Sequence, residues 1–101
     1  MLYDTLKNFG EAQGIPVAYR AFKEPTAPPF IVYYEGPSDN FVADNRVYVK
    51  KHIYTVELYT TDKMPALEAA LEAALDGYIW ESDETYVDSE QMYEKIYTLE
   101  E

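Results

Sequence analysis

Apolar residues recur at helical spacing at the start of the chain. Leu2, Leu6 and Phe9 follow a period of three to four residues, which predicts an amphipathic helix over Leu2–Gln13. Gly10 and Gly14 are expected to mark the fraying end of this helix. The apolar stripe of this helix requires a sheet to cover it.

A second helix is predicted in the third quarter of the chain. The leucines that carry its spacing are Leu67, Leu71 and Leu75. The markers of its ends are Thr61 or Asp62 as the N-cap, Pro65 in the first turn and Gly77 as the stop. Alanines flank the leucines and allow a close approach to a sheet, while Glu68 and Glu72 are expected to face solvent.

The longest extended stretch is Arg46–Thr61, which is rich in β-branched and aromatic residues and contains neither Gly nor Pro. Its apolar residues change parity along the stretch. Val47 and Val49 share one face, whereas Val56 and Leu58 lie on the opposite parity. We therefore expect a bulge or twist in the polar segment between them, at residues 50–52.

Further strands are predicted on both sides of this stretch, with a proline-rich connection at Lys23–Pro29. They are Ile15–Phe22, Phe30–Glu35, a brief strand or anchored loop at Phe41–Ala43, and one or two final strands. The acid-rich Glu81–Thr85 is expected to be a turn or an edge, and a break at residues 88–90 would make Tyr78–Val87 and Gln91–Leu99 the arms of a terminal hairpin. Short connections favour antiparallel pairing. The predicted fold is a single α+β domain over residues 1–101, with a mainly antiparallel sheet of four to six strands and two helices packed on one face.

The composition limits the range of partners. Nineteen acidic residues against eight basic ones give a net charge of −11, which argues against binding to nucleic acid or to an anionic membrane surface. The absence of cysteine excludes disulfides and thiolate metal sites. No apolar run reaches the length of a membrane span and no signal peptide is visible, so a soluble protein is expected. Eleven tyrosines fit either a thin-walled core or an interaction surface.

Residue patterns for catalysis are largely missing from the sequence. His52 is the only histidine and is interpreted as an ordinary strand residue. Ser38, Ser82 and Ser89 stand in acid-rich turns without a nucleophile-elbow motif, and no glycine-rich phosphate loop is present. We therefore predict no catalytic residue, no cofactor and no metal ligand. A small enzyme or metal-dependent hydrolase remains a disfavoured alternative.

Acidic residues are concentrated near the C-terminus of the chain. They are Glu81, Asp83, Glu84, Asp88 and Glu90. The segment lacks the spacing and central glycine of a calcium loop, and a solvated acidic rim is the simplest interpretation. One further reading stays open: these acids imitate a nucleic-acid backbone and bind a DNA-binding protein.

Three of the eight basic residues, Arg46, Lys50 and Lys51, lie in the long extended stretch. A basic segment that meets the acidic rim of a neighbouring copy would favour a head-to-tail contact, and such contacts can close into a ring. Together with Tyr48 and Tyr54, these residues form the predicted subunit interface. The alternative is that the basic side chains protect a strand edge from aggregation.

Three segments carry a resemblance to a known family. They are APPFIVYYEGPSDNFVADNRVY (Ala27–Tyr48), YTVELYTTDKMPALEAALEAAL (Tyr54–Leu75) and SDETYVDSEQMYEKIYTLE (Ser82–Glu100). Over nearly the whole chain the sequence resembles small proteins of tailed phages and prophages that are described as minor tail, tail-completion, tail-terminator or head-tail joining proteins. None of these segments contains a catalytic signature, so the resemblance implies a scaffold with a structural role.

The resemblance implies a non-enzymatic virion protein, made in the host cytoplasm and located at the head-tail interface. Copies would form a ring, commonly a hexamer, that ends the tail tube and joins it to the head. An acidic face would line the lumen of this ring or dock on the connector, and the candidate residues for it are Glu81, Asp83, Glu84, Asp88 and Glu90. The partners of the protein would be other copies, the tail-tube protein and the head-tail connector proteins. The alternative function is a small acidic phage-encoded inhibitor that mimics nucleic acid and binds a host protein.

Overall fold

Two helices and seven strands form in the computed structural model, which describes the backbone of residues 1–36, 39–43 and 46–100 and the side chains of residues 1–36 and 52–100. The elements are α1 (Leu2–Gln13), β1 (Val17–Tyr19), β2 (Phe30–Glu35), β3 (Asp39–Ala43), β4 (Arg46–Lys51), β5 (Ile53–Thr60), α2 (Pro65–Ala74), β6 (Ile79–Val87) and β7 (Met92–Glu100). The order of helices and strands confirms the predicted α+β fold.

The strands form a sheet of five and a separate sheet of two. The order in the larger sheet is β1-β2-β5-β7-β6, and all its neighbours are antiparallel except the parallel pair β1 and β2. Val56 at the centre of β5 lies opposite Tyr33 on β2 and Tyr97 on β7. The terminal arms β6 and β7 form the hairpin that the sequence predicts.

The predicted long strand is divided at His52. Among the described strands, its first part, β4, pairs with β3 alone, in the two-stranded sheet that we call the β3–β4 ribbon. Its second part, β5, pairs with β2 and β7. The division lies within residues 50–52, where the apolar parity changes. A register shift within the ribbon, between Phe41 and Val42, leaves Tyr48 as the extra residue of β4.

The apolar core lies between the two helices and one face of the five-stranded sheet. Its strand residues are Ile31, Tyr33, Val56, Leu58, Tyr97 and Leu99, and its helix residues include Leu2, Leu6, Phe9 and Leu71. Because side chains alternate along a strand, the intervening residues point the other way. We call the first surface the helix-covered face. The second is the helix-free face, on which lie Tyr34, Glu57, Tyr59, Glu81, Asp83, Glu94 and Glu100.

Two glycines allow α1 to approach the sheet and to end cleanly. A Cβ atom at Gly10 would lie 2.7 Å from Cγ2 of Val17 and 2.8 Å from the Ile15 carbonyl oxygen, so the first strand packs where only glycine leaves room. Gly14 has a φ of 69° and caps the helix in the left-handed region. Gly10 is therefore a packing residue inside the helix, and the expectation that it marks the helix end was wrong.

The second helix starts later than the sequence predicts. Met64 is its N-cap and makes no side-chain capping bond, so the assignment of Thr61 or Asp62 as the cap was wrong. Pro65 occupies the first turn as predicted. Proline is tolerated there because the backbone N–H that it lacks would have no partner within the helix at that position. The helix ends at Ala74 with Leu75 as its C-cap, before Gly77.

The first strand is shorter than the predicted Ile15–Phe22. Only Val17–Tyr19 pairs with β2, and Arg20, with a φ of 70°, ends the strand. Ile15 instead donates its N–H to the Gly10 carbonyl at 2.9 Å, which keeps it with the end of α1. The strand nevertheless lies at the edge of the sheet, where Pro16 led us to expect it.

Candidate interaction surfaces

The strand β6 forms one edge of the five-stranded sheet and carries three of the predicted acidic residues. Glu81, Asp83 and Glu84 are all exposed. Among the described strands only β7 pairs with β6, so the backbone groups along the other edge of β6 have no strand partner. Charged side chains along such an edge discourage pairing with unselected chains.

The remaining predicted acids, Asp88 and Glu90, are exposed in the turn that follows β6. This turn is closed by backbone bonds of 3.2 Å from Glu90 N to Val87 O and 3.3 Å from Gln91 N to Asp88 O. The five acids thus follow one edge of the molecule and its adjoining turn. Within β6 they do not share a face.

The two faces divide the acids of β6. Glu81 and Asp83 lie on the helix-free face, because their partners on β7 are Thr98 and Ile96. Glu84 lies opposite Lys95 on the helix-covered face, where it forms a salt bridge with Lys63. The predicted acidic surface therefore consists of an edge rather than one continuous face.

A cluster of two carboxylates and two tyrosines, which sequence reasoning missed, lies at the centre of the helix-free face. The hydroxyl of Tyr59 lies 3.1 Å from Oε1 of Glu57 and 2.9 Å from Oε2 of Glu94. The Tyr34 hydroxyl lies 3.4 Å from Oε2 of Glu57. We call these four residues the acid–tyrosine cluster. The alternation of β5 indicates the face of Glu57, but its meeting with Glu94 depends on strand register.

The electrostatics of this cluster favour a bound proton. Partial burial, together with the nearby carboxylate of Glu94, raises the pKa of Glu57. Partial burial and the hydrogen bond to Glu94 also raise the pKa of Tyr59, so that its hydroxyl stays neutral. A phenol has only one proton to donate, and Tyr59 has two carboxyl groups beside it.

The first turn of α2 is held by an ion network on the helix-covered face. Lys63 Nζ lies 2.7 Å from Oε2 and 2.8 Å from Oε1 of Glu68, and it also forms a salt bridge with Glu84. Lys95 Nζ lies 3.9 Å from Oε1 of Glu68. The hydrogen bonds that Lys63 donates to Glu68 and, to a smaller extent, to Glu84 raise the pKa of Lys63.

This network contradicts the expectation that Glu68 faces solvent, because Glu68 is only 7% exposed. Two lysines provide counter-charges at a position where the helical pattern alone predicts a solvated acid. The half-buried Glu72 accepts a 2.8 Å hydrogen bond from the hydroxyl of Tyr97, which is fully buried. Burial and this bond raise the pKa of Tyr97. Glu68 and Glu72 therefore both contact side chains of the sheet, Lys95 and Tyr97 respectively.

The predicted subunit-interface residues divide between the ribbon and the main sheet. Arg46, Tyr48, Lys50 and Lys51 belong to β4, and their side chains lie outside the described residues. Tyr54 is half-buried on β5 and packs against the core on the helix-covered face. The structure thus separates Tyr54 from the four residues of the ribbon.

His52 stands at the junction between β4 and β5 and meets a carboxylate that the sequence could not identify. Its Nδ1 atom lies 2.6 Å from Oε1 of Glu35, and the two side chains are 39% and 38% exposed. A backbone bond of 2.7 Å from Gly36 N to Ile53 O joins the same strand ends. The pair fastens the end of β2 to the beginning of β5.

A groove of about 410 Å³ lies between α1 and β1, with Tyr3, Lys7, Tyr19 and Tyr33 among its lining residues. In the part of the chain that the structure describes, no group of three or more His, Asp or Glu side chains is arranged to hold a metal ion. Neither described helix is long and apolar enough to cross a membrane.

Comparison with known proteins gives a likeness of fold. No protein-family model matches the sequence, and no curated protein matches it either. Among solved structures, the chain is similar to a chain of the virion of a native gene transfer agent particle, with a TM-score of 0.67 and 14% sequence identity. The likeness covers 97% of this chain and 87% of that chain. At this identity the two chains share a fold.

Proposed function

We propose that this chain is a non-enzymatic structural protein of a phage-like virion, made in the host cytoplasm. In this role its copies form a ring, with a hexamer expected, at the head-tail interface of a long-tailed particle. The ring ends or completes the tail tube and joins it to the head. The observation that carries the proposal is the fold shared with a chain of a gene transfer agent virion over 97% of this chain.

The distribution of charge supports assembly from identical copies. The exposed edge strand β6 is acidic, whereas the β3–β4 ribbon holds the basic residues Arg46, Lys50 and Lys51. Each copy therefore has one basic and one acidic strand. A contact between unlike surfaces of identical copies is head-to-tail, and it produces a ring if the rotation closes.

The helix-free face suits a surface along which DNA passes. Its strand positions carry five carboxylates, Glu57, Glu81, Asp83, Glu94 and Glu100, and no Lys or Arg among the described strand residues of that face. A negatively charged surface repels phosphates and so opposes adhesion of a passing genome. We place this face toward the lumen of the ring, with the tail-tube protein and the connector proteins as neighbours along the axis.

Native mass from light scattering, combined with negative-stain imaging of the same fractions, tests the proposal. The protein is measured alone and mixed with a phage tail-tube protein, at low and moderate salt. Closed rings, or rings that cap tubes of limited length, are the expected result. A monomer that leaves the tubes unchanged in length and uncapped would overturn the proposal.

A second candidate function, a small acidic inhibitor that mimics nucleic acid, is favoured by the same row of carboxylates on the helix-free face. A decoy of this kind binds a basic host protein as a monomer or small dimer, and its affinity falls steeply with salt. Pull-downs against host DNA-binding proteins, repeated at two salt concentrations, distinguish it from the ring protein. Salt-sensitive capture of one such protein without tube capping would support the decoy.

A further inference from the structure

Four strand edges are left without a partner among the described strands, those of β1, β3, β4 and β6, and two of them carry opposite charges. One is the outer edge of β6 in the five-stranded sheet, and the other is the outer edge of β4 in the β3–β4 ribbon. An exposed edge offers backbone donors and acceptors to any strand that can lie beside it. Acidic side chains on β6 restrict that choice to a basic strand.

The positions of charge along the two strands select a register. Lys50 and Lys51 are adjacent in β4, and β6 has one adjacent pair of acids, Asp83 and Glu84. Neighbouring residues of a strand point to opposite faces. Two adjacent bases therefore match two adjacent acids with one ion pair on each face of the combined sheet.

The third basic residue distinguishes the two strand directions. If the strands run antiparallel, Lys51 lies opposite Asp83 and Lys50 opposite Glu84, and Arg46 then falls within one residue of Asp88. If they run parallel, Arg46 falls beside Ile79 or Trp80 at the start of β6, away from every acid of that strand except Glu81. The antiparallel arrangement places all three bases beside acids, and opposite charges in facing positions stabilise strand pairs.

We propose that β4 of one copy adds to β6 of the next as an antiparallel strand, with Lys51 opposite Asp83 and Lys50 opposite Glu84. The inference rests on the proposed self-assembly and names the contact that carries it. The ribbon of one copy then extends the five-stranded sheet of its neighbour. Each copy gives one strand and receives one, so the contact propagates around a closed ring.

The isolated fold leaves both acids accessible to such a partner. Asp83 is exposed on the helix-free face, where its Oδ1 accepts a 2.8 Å bond from the Glu84 backbone N–H. Glu84 is bound by Lys63, and its side chain is still 37% exposed. The Lys51–Asp83 pair is therefore the cleaner one to exchange, because neither change disturbs the ion network under α2.

Charge exchange at this pair is the first test. Lys51→Glu and Asp83→Lys are each expected to raise the concentration needed for half-assembly about tenfold or more, and the double variant is expected to recover most of that loss. The matched control is Glu81→Lys, which reverses a charge on the same strand and face but lies outside the paired positions. Loss of assembly in Glu81→Lys equal to that in Asp83→Lys, without recovery in the double variant, would overturn the register.

Disulfide trapping tests the register directly, because the chain contains no cysteine. In the proposed register Val49 lies opposite Thr85, so equimolar Val49→Cys and Thr85→Cys proteins are mixed and oxidised. A covalent pair of the two variants is expected. The control mixes Val49→Cys with Glu81→Cys, whose positions are four residues, or about 13 Å, out of register. Equal yields from the two mixtures, or none from the first, would overturn the proposal.

The two experiments separate this contact from the wider proposal of a ring. Rings or capped tubes without the Val49–Thr85 disulfide would reject the strand contact and leave the ring intact. The specific disulfide without rings or capped tubes would keep the contact and reject the ring. Absence of both would reject the two together, and circular dichroism of each variant establishes that the fold is present in every sample.

Discussion

The two faces of the five-stranded sheet are built from alternate residues of the same strands, yet they differ in almost every physical respect. On β5, Val56 and Leu58 are fully buried under the helices, while Glu57 and Tyr59, which alternate with them, are half-exposed on the other side. Both faces contain tyrosines that contact glutamates. On the helix-covered face Tyr97 meets one carboxylate, and on the helix-free face Tyr59 meets two.

This difference separates the part of the molecule that holds the fold from the part available for recognition. The helix-covered face buries apolar area, which is the main favourable term in folding. The helix-free face holds several carboxylates close together. Their mutual repulsion opposes folding slightly and makes the surface strongly negative. Changes on the first face should therefore alter stability, and changes on the second should alter charge and binding.

The largest expected effect is that of Leu71→Asp. Leu71 is completely buried between α2 and the sheet, and the variant would place an unpaired carboxylate there. Burying an unpaired charge costs several kcal/mol, about as much as the whole stability of a small domain. We expect loss of the cooperative thermal transition, measured by circular dichroism.

The control for this variant places the same charge on the other face. Thr98 is exposed on the helix-free side of β7, and Thr98→Asp is expected to lower the free energy of unfolding by less than about 1 kcal/mol. The contrast between faces would be refuted by a cooperative transition in Leu71→Asp or by unfolding of Thr98→Asp.

The sequence predicts the helix-covered face well because periodicity reports burial. The spacing of Leu2, Leu6 and Phe9 located α1 with its observed ends, and the leucines of α2 located that helix and its buried side. The change of apolar parity near residues 50–52 indicated the place where the long strand divides. Local patterns were sufficient in these places because each depends on neighbours within one element.

Features that depend on distant parts of the chain could not be predicted from the sequence. The burial of Glu68 depends on Lys63 and on Lys95 from the last strand. The pattern along the helix alone therefore predicts, wrongly, that Glu68 faces solvent. The meeting of Glu57 with Glu94 and of His52 with Glu35 depends on strand register and strand ends. Candidate acids could be located along the chain, but their division between the two faces of β6 required the pairing with β7.

A comparison of two tyrosines tests the faces at a finer scale. Tyr97→Phe removes a hydrogen bond from a fully buried hydroxyl to the Glu72 carboxylate. Such bonds contribute about 1.5–3 kcal/mol, less here because Glu72 is half-exposed and keeps some water. We expect a loss of about 1–2 kcal/mol, measured by urea denaturation.

Tyr59→Phe is the matched variant on the helix-free face. Tyr59 is half-exposed, so water replaces much of what its hydroxyl provides to Glu57 and Glu94. The expected loss is below about 1 kcal/mol, and smaller than that of Tyr97→Phe. Equal losses in the two variants would show that the hydroxyl contacts of the two faces contribute equally to stability, and would contradict the expected difference between the faces.

The smallest expected effect is a gain in stability from Glu57→Gln at neutral pH. Partial burial and the neighbouring Glu94 carboxylate raise the pKa of Glu57, so its ionised form is less favourable in the folded protein than in the unfolded chain. Glutamine keeps the shape and removes the charge. Because the side chain is half-exposed, solvent screens the effect, and we expect a gain of about 0.5 kcal/mol.

The pH dependence of this gain identifies its cause. A carboxyl group whose pKa is raised by folding destabilises the native state fully above its folded pKa, and the penalty disappears as the pH falls toward the unfolded value of about 4.3. The advantage of Glu57→Gln over the parent protein should therefore shrink as the pH is lowered through the raised pKa. Glu81→Gln, which removes an exposed carboxylate from the same face, is the control. A gain in Glu57→Gln that persists unchanged at pH values below about 4 would mean that packing, and not the shared charge of the acid–tyrosine cluster, distinguishes this position.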